Sequence, residues 1–320
     1  MANRNPFEDA RSAAERAGFG RAAAYYACLF LLTHALAAAY LASGGSWRRP
    51  DSLLVANLIM LVPGVVAVVL LRWVFRKPVR ETLGLWFVLN RWSVLAGVLP
   101  LLVCGATLLL GLALPGSSFS PELGGLAERF ALRPEQVSQL VPRLGHLPLI
   151  WTVIAQGIVL GPTICTLTGL GEELGWRGLL FHELAPLGFW RRSWLIGLLW
   201  GGWHVPLVFE GYGYPNHPLL GALLLVTFTL LAAPLYVFLR ARSGSVLTAG
   251  ICHGSFGASI LLTFGPISGA NELTSGLIAL PGIAVMAAVN LVLLFVVRAN
   301  RFGGAPGLTS SGAGFEQPRT

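Results

Sequence analysis

The sequence predicts an all-α, polytopic membrane helix bundle of about eight transmembrane helices with both termini in the cytoplasm. Three observations predict it. Of 320 residues, 55% are hydrophobic and only 11% charged, about half the charged share of a soluble globular chain. The apolar residues gather into runs of the roughly 20 residues that cross a bilayer. The Lys and Arg residues fall between those runs, mostly on one side of the bundle.

The first twenty residues are too polar and, with Glu8, Asp9 and Glu15, too acidic for a secretory signal peptide. Residues 1–22 are therefore expected as a cytoplasmic segment ahead of the first helix. Spans are expected at 23–43, 52–72, 92–114, 148–170, 193–209, 218–239, 245–264 and 276–297, the fifth being the shortest, in one bundle over 23–299. The fourth is expected to continue as a helix through 171–184, since no Pro intervenes between Pro162 and Pro186. Pro63, Pro100, Pro162, Pro206, Pro234 and Pro281 lie within or at the ends of spans, where neighbouring helices can satisfy the freed backbone groups. The loop 115–147 mixes Gly, Pro and charge and reads as an outer surface lid or interfacial helix near 122–141. The tail, 300–320, is rich in Gly, Ser and Pro and reads as disordered.

Charge sets the orientation. The segments 1–22, 72–80, 191–192, 240–242 and 298–319 hold fifteen Lys and Arg, while 44–51 and 115–147 hold five. By the positive-inside rule both termini face the cytoplasm; a plasma membrane, the inner membrane if the host is bacterial, is the expected location. The net charge of +8 follows the membrane rather than one basic patch, which sets nucleic acid aside. Cys28, Cys104, Cys165 and Cys252 sit in separate apolar runs with no CxxC spacing and read as buried reduced thiols. Cys252 is a poor nucleophile in so apolar a setting.

Against this background Gly171-Glu-Glu-Leu-Gly-Trp-Arg-Gly178 stands out. A charge at the bilayer centre costs at least roughly 2.5–3.5 kcal/mol, so such residues pair, face protein and mark function. On a helix Glu173 and Arg177 are i and i+4 neighbours. Glu172 points about 100° away and is left for other work. His204, in Trp200-Gly-Gly-Trp-His-Val-Pro206, and His253, in Ile251-Cys-His-Gly-Ser-Phe-Gly257, are two further ionisable residues inside spans. Counted from the cytoplasmic ends, Glu172, His204 and His253 lie at depths of roughly 18, 16 and 12 Å. Gly171 and Gly175, Gly197 and Gly201, and Gly250 and Gly254 flank them at small-xxx-small spacing, which lets helix backbones approach closely.

A carboxylate beside one or two imidazoles suits general-base activation of water, with an imidazole donating to an oxyanion. The same set could hold a divalent metal such as zinc, although there is no HExxH. By spacing alone a buried ion-pair cluster that only fixes packing, an ion-coupled transporter and a hydrolase all stay open, and no paired broken helices support the transporter. His34 reads as a packed or interhelically hydrogen-bonded histidine, His182 and Glu183 as interfacial, and His146, Glu210 and His217 as solvated. The ten Trp read as interface anchors and core packing.

At these residues the chain resembles the CPBP family, the type II CAAX prenyl proteases and bacteriocin-processing, abortive-infection-like intramembrane proteases. The family's EExxxR is matched by Glu172, Glu173 and Arg177, its aromatic-xxxH by Trp200 and His204, and its HxxxN or HxxxD by His253 alone, since Gly257 stands at the fourth position. The likeness covers about 150–260. It implies an intramembrane endopeptidase in which Glu172 activates the attacking water, His204 helps to bind it and His253 stabilises the oxyanion. Glu173 and Arg177 hold Glu172 in place. The substrate is a peptide or membrane protein, and the mechanism is either metal-free or metal-dependent, with Glu172, His204 and His253 as the ligands if a metal is present. Gly257 cannot supply the family's Asn side chain, so a catalytically weakened homologue, binding a partner or conferring bacteriocin immunity, is the alternative. Ser255 or Ser259 are the nearest residues that could compensate.

Overall fold

The computed structural model describes residues 6–302 except 48, 50 and 51. The chain is helical nearly throughout. Helix α1 spans Pro6–Ala42, α2 Ser52–Ile59 and α3 Val62–Val69, which runs on as a π-helical turn over Leu70–Val74; α4 is Val79–Leu83 and α5 Arg91–Leu112. Next come β1 (Ser118–Phe119), α6 (Gly124–Phe130), α7 (Pro134–Leu140), α8 (Leu149–Val159) and α9 (Ile164–Glu173). A π-helix over Leu174–Leu180 joins α9 to the short α10, Phe181–Glu183. The chain closes with α11 (Gly188–Phe209), α12 (Pro218–Ser243), α13 (Val246–Ser259), β2 (Ile267–Ser268) and α14 (Leu280–Phe302).

Among the described residues six helices are long and apolar enough to cross a bilayer: Glu15–Ala42, Leu54–Val74, Arg91–Leu112, Pro218–Ser243, Val246–Thr263 and Leu280–Arg298. A seventh span forms if the pair Leu149–Val159 and Ile164–Glu183 counts as one. Their outer faces carry the apolar residues that a soluble protein would hide: Leu31, Leu109 and Phe295 are 70%, 70% and 71% exposed. This is the surface of an integral, multi-pass membrane protein.

Helix α1 already begins at Pro6, within the segment 1–22. Two expectations are corrected. The fourth span is not continuous: α8 and α9 meet at 61° across residues 160–163, where Pro162 cannot donate the backbone hydrogen bond that a straight helix needs. The loop 115–147 is not one amphipathic helix but two short ones, α6 and α7, tied down because β1 pairs antiparallel with β2, Ser118 opposite Ser268. The disordered tail expected at 300–320 lies outside the described residues, apart from 300–302, which close α14.

Within lipid, helices associate by close packing rather than by escape from water, and glycine makes the closest approaches. A Cβ on Gly169 would stand 2.7 Å from the Gly254 backbone, and one on Gly254 would stand 2.5 Å from Cys165, so α9 and α13 touch backbone to backbone. Gly197 and Gly201 do the same for α11 against α12. Between α12 and α13 the turn is made by Gly244, at φ +79°, a left-handed conformation that suits glycine. Ser245 then caps α13, accepting from the Leu247 N–H at 3.1 Å.

Candidate active site

The charged octet folds as the end of α9 and the π-helix that follows. Gly175 and Gly178 are required there for space, since a Cβ at 175 would overlap the Tyr25 hydroxyl at 1.8 Å and one at 178 would press on Leu83 at 2.8 Å. A π-helical turn widens the spiral and is a frequent companion of functional sites. It leaves the two adjacent carboxylates facing different partners.

Glu173 and Arg177 are both fully buried and form an ion pair, Nη1 to Oε1 at 3.0 Å. The same Oε1 accepts from His253 Nδ1 at 2.8 Å. Arg177 is also stacked between aromatic rings, 4.7 Å from the Trp200 ring and 4.4 Å from that of Tyr236. Arg177, Glu173 and His253 thus form a chain that fixes the imidazole and aims its Nε2. That nitrogen faces Glu172 Oε1 at 3.9 Å.

Glu172 is held differently. Its Oε2 accepts from Trp200 Nε1 at 2.8 Å and from Trp176 Nε1 at 3.1 Å. An indole can only donate, so this carboxylate oxygen is pinned by two neutral donors and Oε1 is left towards His253. The expectation that Glu173 and Arg177 hold Glu172 is corrected: they hold His253, and the two tryptophans hold Glu172. Sequence reading had placed Trp176 with the anchors. The available signal was its i+4 position from Glu172, together with the need of a buried indole N–H for an acceptor.

His204 is half-buried, and its Nδ1 lies 3.0 Å from the Trp200 carbonyl oxygen. A carbonyl only accepts, so Nδ1 carries the proton and Nε2 keeps its lone pair. The ring packs edge-on against Trp203 at 4.6 Å and lies 6.4 Å from the Trp200 ring. Through Trp200, which binds Glu172 by its indole and His204 by its carbonyl, α9 and α11 share one site; His253 brings in α13. Glu172, 3% exposed, does not face lipid.

Gly257 is exposed, on the same face of α13 as His253, and a Cβ built on it meets nothing within 4 Å. The place of the family's Asn is open space. Ser255 and Ser259 do not fill it. Both are fully buried, and their Oγ atoms abut the turn after α8 at Gly161 and α8 itself at Gly157.

Among the described residues no three His, Cys, Asp or Glu side chains converge to hold a metal ion. Glu172 Oε2 is taken by indoles, His253 Nδ1 by Glu173 and His204 Nδ1 by a carbonyl. In this arrangement the set Glu172, His204 and His253 does not form a ligand cluster.

Other expected placements fare unevenly. His34 is packed edge-on against Phe30 at 4.3 Å. Glu183 is not interfacial but buried, accepting from Arg21 Nη2 and Lys77 Nζ, both at 2.7 Å, whereas His182 is exposed. His146 and Glu210 are exposed. His217 is half-buried and pairs with Glu272 at 3.0 Å. Of the cysteines, all free, Cys28 is exposed rather than buried.

Residues 144–259 match the family model described as type II CAAX prenyl endopeptidase, Rce1-like. No curated protein matches the chain. The matched segment contains Glu172, Glu173, Arg177, His204 and His253. Over the segment that carries this site, which is about a third of the chain, the protein is similar to the type II CAAX prenyl endopeptidases.

Proposed function

We propose that this CAAX protease-type membrane protein is an intramembrane endopeptidase that hydrolyses a peptide bond with a water activated by Glu172. The observation that carries the reading is the division of labour between neighbouring carboxylates: Glu173 serves His253, while Glu172 has one oxygen held by two indoles and the other turned towards the His253 Nε2. Water held between Glu172 Oε1 and the bare Nε2 of His204 gives its proton to the carboxylate as its oxygen attacks the scissile carbonyl. His253, whose imidazolium form is balanced by Glu173, donates from Nε2 to the oxygen that becomes the oxyanion. On collapse of the tetrahedral intermediate the C–N bond breaks, and the proton on Glu172 passes to the leaving amine. The indole donors of Trp176 and Trp200 keep Glu172 from turning away during these transfers.

The site belongs to the cytoplasmic half of the bilayer, with both termini inside and α11, 22 residues long, as the eighth span. The Lys and Arg distribution supports that orientation. A plasma membrane, the inner membrane in a bacterium, is the corresponding location. The substrate is a peptide or a membrane-protein segment that reaches the site at the open face beside Gly257. The alternative, a catalytically weakened homologue that binds a partner or confers bacteriocin immunity, is not favoured by the family match.

N-terminal proteomics of membranes carrying wild type or Glu172→Gln tests this reading. New N-termini present only with wild type are expected; identical sets of N-termini would reject it.

A further inference from the structure

At the end of the bundle where α10 meets α11 and α12, two arginines are buried with no acidic partner among the described residues. Arg192 and Arg240 are 8% and 5% exposed, and their guanidinium carbons stand 3.8 and 4.8 Å from the centre of one ring, that of Phe181. Each makes one hydrogen bond to the helix that ends there: Arg192 Nη1 to the Phe181 carbonyl at 3.2 Å, and Arg240 Nε to the Arg177 carbonyl at 3.2 Å. Among the described residues Arg192 Nε and Arg240 Nη1 find no hydrogen-bond partner. Glu183, the carboxylate two residues from Phe181, is already bound by Arg21 and Lys77.

Two like charges buried around one ring are unfavourable unless an anion neutralises them. Capping helix carbonyls accounts for one N–H of each and leaves two charges and two donors unanswered. Both residues lie within a turn or two of their helix ends, the part of a spanning helix that approaches the lipid headgroups, and a fork of guanidinium N–H groups fits a phosphate closely. We infer that Arg192 and Arg240, with Phe181 between them, form a binding site for a phosphate group, carried by an anionic phospholipid or by a free phosphate. His182, next to Phe181 in sequence, is exposed.

The test uses the full-length protein purified without phosphate. Thermal unfolding is followed by tryptophan fluorescence against inorganic phosphate, and separately in nanodiscs of phosphatidylglycerol or of phosphatidylcholine, whose phosphate is offset by choline. A ligand that binds only the folded protein raises its unfolding temperature. Stabilisation by phosphatidylglycerol over phosphatidylcholine supports the lipid source, and stabilisation by millimolar phosphate supports the free one. In either case Arg192→Lys, which keeps the charge and loses the fork, is expected to weaken binding by about tenfold or more, the worth of one charged hydrogen bond. Wild type indifferent to both ligands, or Arg192→Lys binding as wild type does, overturns the inference. Because no cleavage is measured, failure here leaves the proposed protease untouched.

Discussion

Glu172 and Glu183 lie eleven positions apart on one run of helix and have opposite surroundings. Glu183 is saturated by two cations, Arg21 and Lys77, both about a quarter exposed at 26%, which tie α1 and the segment before α4 to the end of α10. Among the described residues Glu172 has no Lys or Arg against it. Two neutral indoles hold one oxygen, and the other faces an imidazole at 3.9 Å. The first arrangement is a fastening: its carboxylate has nothing left to offer a reactant. The second fixes a carboxylate in space and leaves an oxygen able to accept a proton. Burial and charge alone do not separate the two, since both glutamates are almost completely buried; the chemistry of their donors does.

Changes on the Glu172 side of this comparison carry the largest expected effects. Arg177→Met strips the cation from a fully buried Glu173, and losing one partner of such a pair costs about 3–5 kcal/mol; detergent unfolding curves are expected to show that loss together with loss of cleavage. His253→Gln is expected to lower turnover by about 10²–10³, the worth of one oxyanion donor, with the fold retained by circular dichroism. Trp200→Phe removes the 2.8 Å indole bond to Glu172 and is expected to cut turnover by roughly 10–100-fold, the equivalent of one hydrogen bond to a charged group, with little change in the unfolding temperature. A Trp200→Phe protein as active as wild type would mean that the indoles do not position Glu172. Gly257→Asn enters open space and is expected to raise turnover, by up to about 10² if its amide reaches the oxyanion; a fall would mean that the reacting carbonyl does not lie on that face. The smallest effect belongs to the fastening. Glu183→Gln is expected to cost on the order of 1 kcal/mol of stability and to leave turnover per folded molecule unchanged.

Much of the site was legible because ionisable residues are rare in apolar runs, so Glu172, His204 and His253 announced themselves, and the Glu173–Arg177 pair followed from helical spacing. The glycines announced close approach, but not which helices would meet: Gly197 and Gly201 serve α12, not the helices of the site. Partners were harder to read. Tryptophan in a membrane chain has a common role as an interface anchor, which masked the indole donors to Glu172. Arg21 lies 162 positions from Glu183, and no local pattern joins them. The break at Pro162 was missed because many transmembrane helices carry proline without breaking, and the bend depends on how α8 and α9 pack against α13.

Turnover of Glu172→Gln measured beside Glu183→Gln in proteoliposomes, each normalised to folded protein, tests the division between these carboxylates most directly. The expected result is loss of about 10²–10⁴ in the first, the range for a general base, and near-wild-type turnover in the second. Equal turnover in the two variants would contradict the assignment of Glu172 as the residue that activates water.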